Sequence, residues 1–468
     1  MLISKYSAPE FDPYDDNNEL VVSSGTWAAP LAPGPLSATL SLPGSKSLTN
    51  RELVLAALAE GPSVLHAPLV SRDTNLMAEA LRALGVSIKE IPGNGKYGPD
   101  LRITPGELSG GASIECGLAG TVMRFVPPVA ALALGPVAFD GDESARRRPM
   151  RATIDSLRAL GVDVTDDGRR RLPFSLYGEG HVDGGEISID ASGSSQFVSA
   201  LLLVGARFTN GLTLRHVGEK LPSLPHIEMT IAALAARGIP VQTPEPGLWI
   251  IEPGPIAGRD SDIEPDLSNA APFLAAALVA GGTVSIEGWP EHTTQVGAEL
   301  ERLLPQFGAT VRRDGTTLTV DGGAGLAAGG SLSGVTMDLS DCGELAPAIV
   351  ALATLASGPS RVTGIGHLRG HETNRLEALA TEINALGGSV TELEDGLAIE
   401  PAALTGGLWH TYEDHRMATA GAIIGLAVPG IEIDDIETTG KTLPQFPKLW
   451  FGPLLGLTGV TIDPLSIL

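Results

Sequence analysis

Apolar residues recur along this chain in blocks of helical length, each bracketed in the same way. A cluster of small or polar residues comes first, then an Ala- and Leu-rich run, then Gly or Pro, then a short alternation of β-type residues. A second helix-like stretch follows and often ends in a Leu-Gly-x-x-Val phrase or a shorter relative. Ser47 to Glu60 is such a run, stopped by Gly61-Pro62, and Ser63 to His66 is short and β-like. Asp73-Thr74 reads as the N-cap of a second helix ending at Leu84. Pro265 to Asn269, then Ala270 to Ala280, repeats the first move, with Gly281-Gly282 as its stop.

Units of this kind open at Lys46, Gly120, near Ser194, and at Ser268, Asp341 and Asp414. The spacing is about 74 residues, far beyond the repeat of an ordinary solenoid. Each unit reads helix, strand, helix, strands, which makes the fold class α/β. Such a unit cannot bury its faces alone, so six of them predict two lobes of three. The Gly/Pro-rich stretch Pro253 to Glu264 separates the third unit from the fourth. The expected division is therefore residues 43–264 for one lobe and 31–42 with 265–468 for the other. Residues 1–30 are acidic and Pro-rich, and are expected to be a disordered tail.

Composition narrows the function. The chain has 468 residues, 43% hydrophobic but only 4% aromatic, so its cores must be packed with small aliphatic side chains. A net charge of −24 argues against nucleic acid, whose binders carry basic patches. An anionic ligand must then be held by a few Lys and Arg placed locally. Cys116 and Cys342 are the only cysteines, too few for a disulfide framework or a cysteine zinc site, and fit a reducing cytoplasm. The first residues hold no apolar leader run, and the longest apolar runs, such as Ala271 to Ala280, are half of the ~20 residues that a membrane span needs. A cytoplasmic protein that binds no membrane is expected.

The polar openings carry the candidate chemistry. A helix that starts there presents unpaired N–H groups and its positive dipole end, so several starts aimed at one cleft would make a strong anion site. The first opening reads Leu42-Pro43-Gly44-Ser45-Lys46-Ser47-Leu48-Thr49-Asn50-Arg51. It is not a P-loop, because the Gly-x-x-x-x-Gly-Lys-Ser spacing is absent.

That segment closely resembles the N-terminal signature of EPSP synthases, a family of enolpyruvyl transferases. Leu118-Ala119-Gly120-Thr121-Val122-Met123-Arg124 is similar to the family's Asn-Ala-Gly-Thr-x-x-Arg, with Leu118 in place of Asn. Arg148-Pro149-Met150, Ser194-Ser195-Gln196-Phe197 and Asp266-x-Ser268-x-Ala270 continue the match. His371-Glu372-Thr373-Asn374-Arg375, Asp414-His415-Arg416-Met417-Ala418 and Lys441-Thr442-x-Pro444 complete it in family order.

The resemblance implies a two-lobe inside-out α/β barrel of six β-α-β-α-β-β repeats, three per lobe, with helices buried at each centre. It implies a monomer that needs neither metal nor organic cofactor. Its small-molecule substrates are shikimate 3-phosphate and phosphoenolpyruvate. Shikimate 3-phosphate contacts are implied for Lys46, Ser47, Arg51, Ser194, Ser195, Gln196, Ser223, Asp341 and His371. Phosphoenolpyruvate contacts are implied for Lys46, Gly120, Arg148, Gln196, Arg375, Arg416 and Lys441. The catalytic set is Asp341, Glu372, Lys46 and Lys441.

Asp341 matches the family's general base, and lies midway between the openings at Ser268 and Asp414. Glu344, one helical turn on, competes for that role, since proton transfer needs only hydrogen-bond reach. Glu372, or Lys441 beside it, is the expected proton donor to the substrate carbon. Three departures touch the substrate contacts. His371 stands where Lys is usual, Asn374 replaces an Asp, and His367 stands where an Asn often contacts substrate. His226, His292 and His410 show no metal-ligand spacing and read as capping or surface residues. Two rival readings share the repeats. A UDP-sugar enolpyruvyl transferase would need a reactive cysteine in a mobile loop, where Cys116 reads better as a packed residue. A non-catalytic anion-binding relative would not need Asp341 and Glu372.

Overall fold

The computed structural model describes residues 25–457 other than Asn94. Two separate hydrophobic cores organise it. One gathers side chains from Leu53 to Ile263, the other joins Ala29 to Leu42 with Leu267 to Leu455. At the centre of the first, helices Lys46–Ala57, Gly120–Ala130 and Gln196–Gly205 pack against one another. Leu267–Ala280, Ala346–Thr354 and His415–Gly425 do the same in the second. Every residue of Gly120–Ala130 and of Leu267–Ala280 is buried. These are the runs without a polar face, and a helix that is apolar all round is stable only where it is enclosed on all sides.

Sheets wrap these helices in a repeated pattern. Ala112–Glu115 pairs in parallel with Leu134–Asp140, which pairs antiparallel with Phe174–Glu179, and Asp163–Thr165 completes the sheet through Phe174–Glu179. The connection order is strand, helix, strand, helix, hairpin. Two sheets take their first strand from far along the chain. Leu36–Ser41 lies parallel to Gly282–Glu287, and Ser261–Asp262 lies parallel to Ser63–His66. The chain thus crosses between the cores twice, and the crossings touch. Ser45 N–H donates to the Glu264 carbonyl at 2.8 Å and Asp266 N–H to the Pro43 carbonyl at 2.9 Å. Gly44 sits in this contact because a Cβ there would stand 2.4 Å from the Ala67 carbonyl oxygen.

Two features depart from the pattern read in the sequence. The sixth sheet has three strands and no closing hairpin: Gly407–Trp409 and Ile431–Ile433 are parallel, and Trp27–Ala28 runs antiparallel along the edge. Residues 25–30 are therefore not tail. Trp27 packs edge-on against Phe451 with ring centroids 5.4 Å apart, and that burial holds the strand in place. Residues 1–24, the rest of the expected tail, lie outside the described residues. The fifth central helix also starts later than its repeat register suggests, since a single turn Gly343–Leu345 precedes Ala346–Thr354. Among the described residues no helix is long and apolar enough to cross a membrane.

Candidate active site

All six central helices begin at one cavity between the two cores. Ser45, Lys46, Gly120, Gln196, Ser268, Glu344, His415 and Arg416 line it, so each helix start contributes at least one residue. Caps fix those starts. The Ser45 side chain accepts from Leu48 N–H at 3.4 Å. Asp266 accepts from Asn269 N–H at 3.0 Å and, across the crossing, from Lys46 N–H at 3.1 Å. Asp414 accepts from Arg416 N–H at 2.9 Å. Pro272 has no N–H to give the Ser268 carbonyl one turn earlier. That oxygen instead faces Arg416 Nη1 at 3.5 Å.

On one wall the polar side chains are largely unspent. Arg124 and Arg148 are buried, each donating to a carbonyl (Gly120 at 3.2 Å, Leu118 at 3.1 Å), and the Nε of each has no protein partner. Gln196 Oε1 has none either. Gly120 lets these groups converge, because a Cβ there would lie 2.8 Å from Arg124 Nη1, 3.1 Å from Arg148 Nη2 and 3.2 Å from Gln196 Oε1. A buried donor without an acceptor costs about 1–3 kcal/mol, a cost that a ligand oxyanion would relieve. Ser47, Ser194, Ser195 and Ser223 lie on the same wall. Ser223 is held at φ +54°, a left-handed conformation uncommon for a residue with a side chain, and its N–H donates at 3.1 Å to the Ser340 carbonyl of the other core.

Across the cavity the cations are already paired. Arg375 is clamped by Asp414 (2.7 and 3.1 Å) and by Glu372 (3.0 Å), and Lys441 Nζ donates to Glu372 at 2.7 Å. Burial alone would raise the Glu372 carboxyl, but Lys441, Arg375 and Arg148 hold it well below its ordinary range. Burial lowers Lys441, and Glu372 opposes that shift. The two groups form one buried ion pair. Burial, aided by Arg375, depresses His371 well below the usual imidazole value. His371 is therefore neutral at pH 7 and cannot supply the charge of the Lys it replaces. His367 is pushed down to about 4, first by burial and then by Arg375.

The sequence-predicted residues do not all reach the cavity. Lys46, Ser47, Gly120, Arg148, Ser194, Ser195, Gln196, Ser223, His371, Glu372, Arg375 and Arg416 line it. Lys46 Nζ is 3.2 Å from Asp73. Lys441 stands one layer back, behind Glu372. Arg51 lies behind the wall with its guanidinium tied to Thr230 Oγ1 (2.8 Å) and to the carbonyls of Ser47 (3.0 Å) and His226 (2.9 Å). That geometry makes it a brace for the wall rather than a fork aimed at a ligand.

Asp341 is misplaced by the sequence reading. It is exposed, in a surface depression with Glu299 and Arg302, because the helix opens at Gly343 and leaves Asp341 in the preceding loop. The acid inside is Glu344. Its carboxylate accepts from Ser268 Oγ and lies 3.4 Å from Arg416 and 3.7 Å from His226. Burial would raise it, yet His226 and Arg416 hold it well below the carboxylate range. Arg124 and His226 were not among the predicted site residues. Arg124 belongs to a quoted motif that could have flagged it, and the signal near His226 was the predicted contact Ser223, three residues earlier.

Cys116 is fully buried and burial pushes its thiol up, while the Cys342 thiol is pushed up to about 12 by the same cause. Neither is a reactive thiolate. Among the described residues no group of three or more His, Cys, Asp or Glu is arranged to hold a metal ion.

Similarity to known proteins extends over most of the chain. The family model described as EPSP synthase (3-phosphoshikimate 1-carboxyvinyltransferase) matches residues 31–450. A 3-phosphoshikimate 1-carboxyvinyltransferase of Kocuria rhizophila is 57% identical over 439 residues, covering 92% of this chain and 97% of the relative. The structure of EPSP synthase from Acinetobacter baumannii superposes with a TM-score of 0.72 at 25% identity, covering 91% of this chain and 98% of the other. An enolpyruvyl transferase from Streptomyces tendae shares the fold, with a TM-score of 0.70 at 18% identity over 92% of this chain and 96% of its own.

Proposed function

The chain belongs to the EPSP synthase family, and on that premise we propose that its cleft moves the enolpyruvyl group of phosphoenolpyruvate onto the 5-hydroxyl of shikimate 3-phosphate, releasing phosphate. The supporting observation is the convergence of six helix starts with Lys46, Arg124, Arg148, Arg375 and Arg416 on one cavity that also holds Glu344 and Glu372. Two phosphorylated acids need such a cage in a chain whose net charge is −24.

Ser194, Ser195 and Ser223 take the phosphate of shikimate 3-phosphate, with Ser47, Gln196 and His371 along the ring. Lys46, Gly120, Arg124, Arg148, Arg375 and Arg416 take the carboxylate and phosphate of phosphoenolpyruvate, as planar guanidinium forks suit both groups. Glu344, in place of Asp341, withdraws the hydroxyl proton as the oxygen attacks C2. The Lys441–Glu372 pair delivers a proton to C3, giving a tetrahedral adduct. The same pair then takes a proton back from that methyl carbon while phosphate leaves, and the proton held by Glu344 departs with it. The cations offset the charge that moves between carboxylate and phosphate oxygens.

We further propose that residues 43–264 form one lobe and 31–42 with 265–468 the other, in keeping with the two cores. Because one chain supplies both walls, a monomer suffices. A phosphate-release assay decides the activity. Release is expected only when both substrates are present, with no sensitivity to a thiol-directed epoxide. Release with a UDP-amino sugar in place of shikimate 3-phosphate would replace this reading with the rival transferase.

A further inference from the structure

Glu344 receives its contacts from two different cores. Ser268 Oγ and Arg416 belong to its own core, whereas His226 reaches it from the helix Leu224–Ala235 of the other. His226 Nε2 stands 3.7 Å from Glu344 Oε1, with 15% and 20% of the two side chains exposed. Both partners are braced. Arg51 donates to the His226 carbonyl at 2.9 Å and to Thr230 one turn on. Ser223, which caps the His226 helix, donates its N–H to Ser340, in the loop that leads to the Glu344 turn. The other charged or titratable groups facing the pair are Arg416, Arg51, Arg375, Asp266 and Cys342 around Glu344, and His367 beside His226.

We propose that His226 is a positioning residue for the general base, orienting the Glu344 carboxylate from the opposite wall of the cleft. The inference rests on the reading of Glu344 as the base. Because the contact joins the two cores, the direction in which the base points depends on how they pack against each other.

The test is steady-state kinetics of the full chain across pH for His226→Ala, His226→Gln, Glu344→Gln and the double variant His226→Ala/Glu344→Gln. His226→Ala is expected to lower kcat by about tenfold to a hundredfold, the scale of a misplaced catalytic group. KM for both substrates should change far less. The acidic limb of kcat should move to higher pH, because a carboxylate that loses a positive or donating neighbour is easier to protonate. His226→Gln, which keeps an N–H donor, should recover much of kcat, and it serves as the readout if His226→Ala fails to fold. The double variant should be no slower than Glu344→Gln alone. An unchanged kcat and acidic limb in the His226 variants, beside a collapsed Glu344→Gln, overturns the inference and leaves the base standing. A His226 effect confined to KM for shikimate 3-phosphate overturns it too. Near-normal turnover in Glu344→Gln sinks the base assignment itself.

Discussion

The two walls of the cleft are built from equivalent repeats yet hold their charge differently. The wall from the first core presents Ser47, Ser194, Ser195, Ser223, Gln196, Arg124 and Arg148, with several buried polar atoms lacking a protein partner. The wall from the second presents Arg375, Arg416 and, behind them, Lys441, each already set against Asp414, Glu344 or Glu372, and its own unpartnered buried atoms belong to the imidazoles of His367 and His415 rather than to a cation. Unspent donors are suited to capture, since a ligand oxyanion satisfies them. Paired charges are suited to chemistry, because a carboxylate held by cations starts ionised and has a fixed direction. On the proposed function, the division gives binding mainly to the wall from the first core and proton transfer mainly to the wall from the second.

The sharpest way to break that division is Glu372→Gln. It should lower kcat by about a hundredfold or more, the scale of a lost acid–base group, with KM for both substrates little changed. A large rise in KM instead would make the second wall a binding wall. Ser195→Ala should do the reverse, raising KM for shikimate 3-phosphate about tenfold to a hundredfold, as for one hydrogen bond to a charged group, with kcat nearly unchanged.

A smaller effect concerns pH and stability. His367 has a folded value of about 4, well below the ordinary 6.5. The unfolded chain therefore binds more protons between those values, so this contribution is complete above pH 6.5 and is lost as pH falls toward 4. Thermal melts should show Tm falling over that window, with a shallower slope in His367→Gln. An equal slope in the variant would remove His367 from the account. The smallest effect is expected for Asp341→Asn, which should keep kcat within about twofold, as for a surface change away from the site. A collapse of turnover there would restore Asp341 as the base against its outward position.

The chain order of motifs and the register of the repeats were enough to find most of the cleft. Lys46, Gly120, Arg148, Gln196, Arg375 and Arg416 each sit at or beside a helix start, and capping chemistry is local, so a one-dimensional pattern finds them. The same logic failed at Asp341. A midpoint between two openings locates a helix start only to within a few residues, and the Gly343–Leu345 turn shifted this start by enough to exchange one acid for another. Arg51 shows a second limit. Its type and spacing fit an oxyanion fork, but Thr230 and His226, 179 and 175 positions away, occupy its donors together with Ser47 one turn earlier.

By itself the sequence determined the six-fold alternation of apolar runs and polar caps, and so the α/β class and the buried central helices. Those follow from local propensity and from the cost of leaving an all-apolar helix in water. Only the tertiary structure decided which acid lines the cavity, which cations are paired, and that His226 meets Glu344 from the opposite core. Apart from Glu372–Arg375, one turn apart, such contacts join segments distant in the chain, from Arg375 with Asp414 to His226 with Glu344, and their geometry is set by packing rather than by any neighbour in the chain.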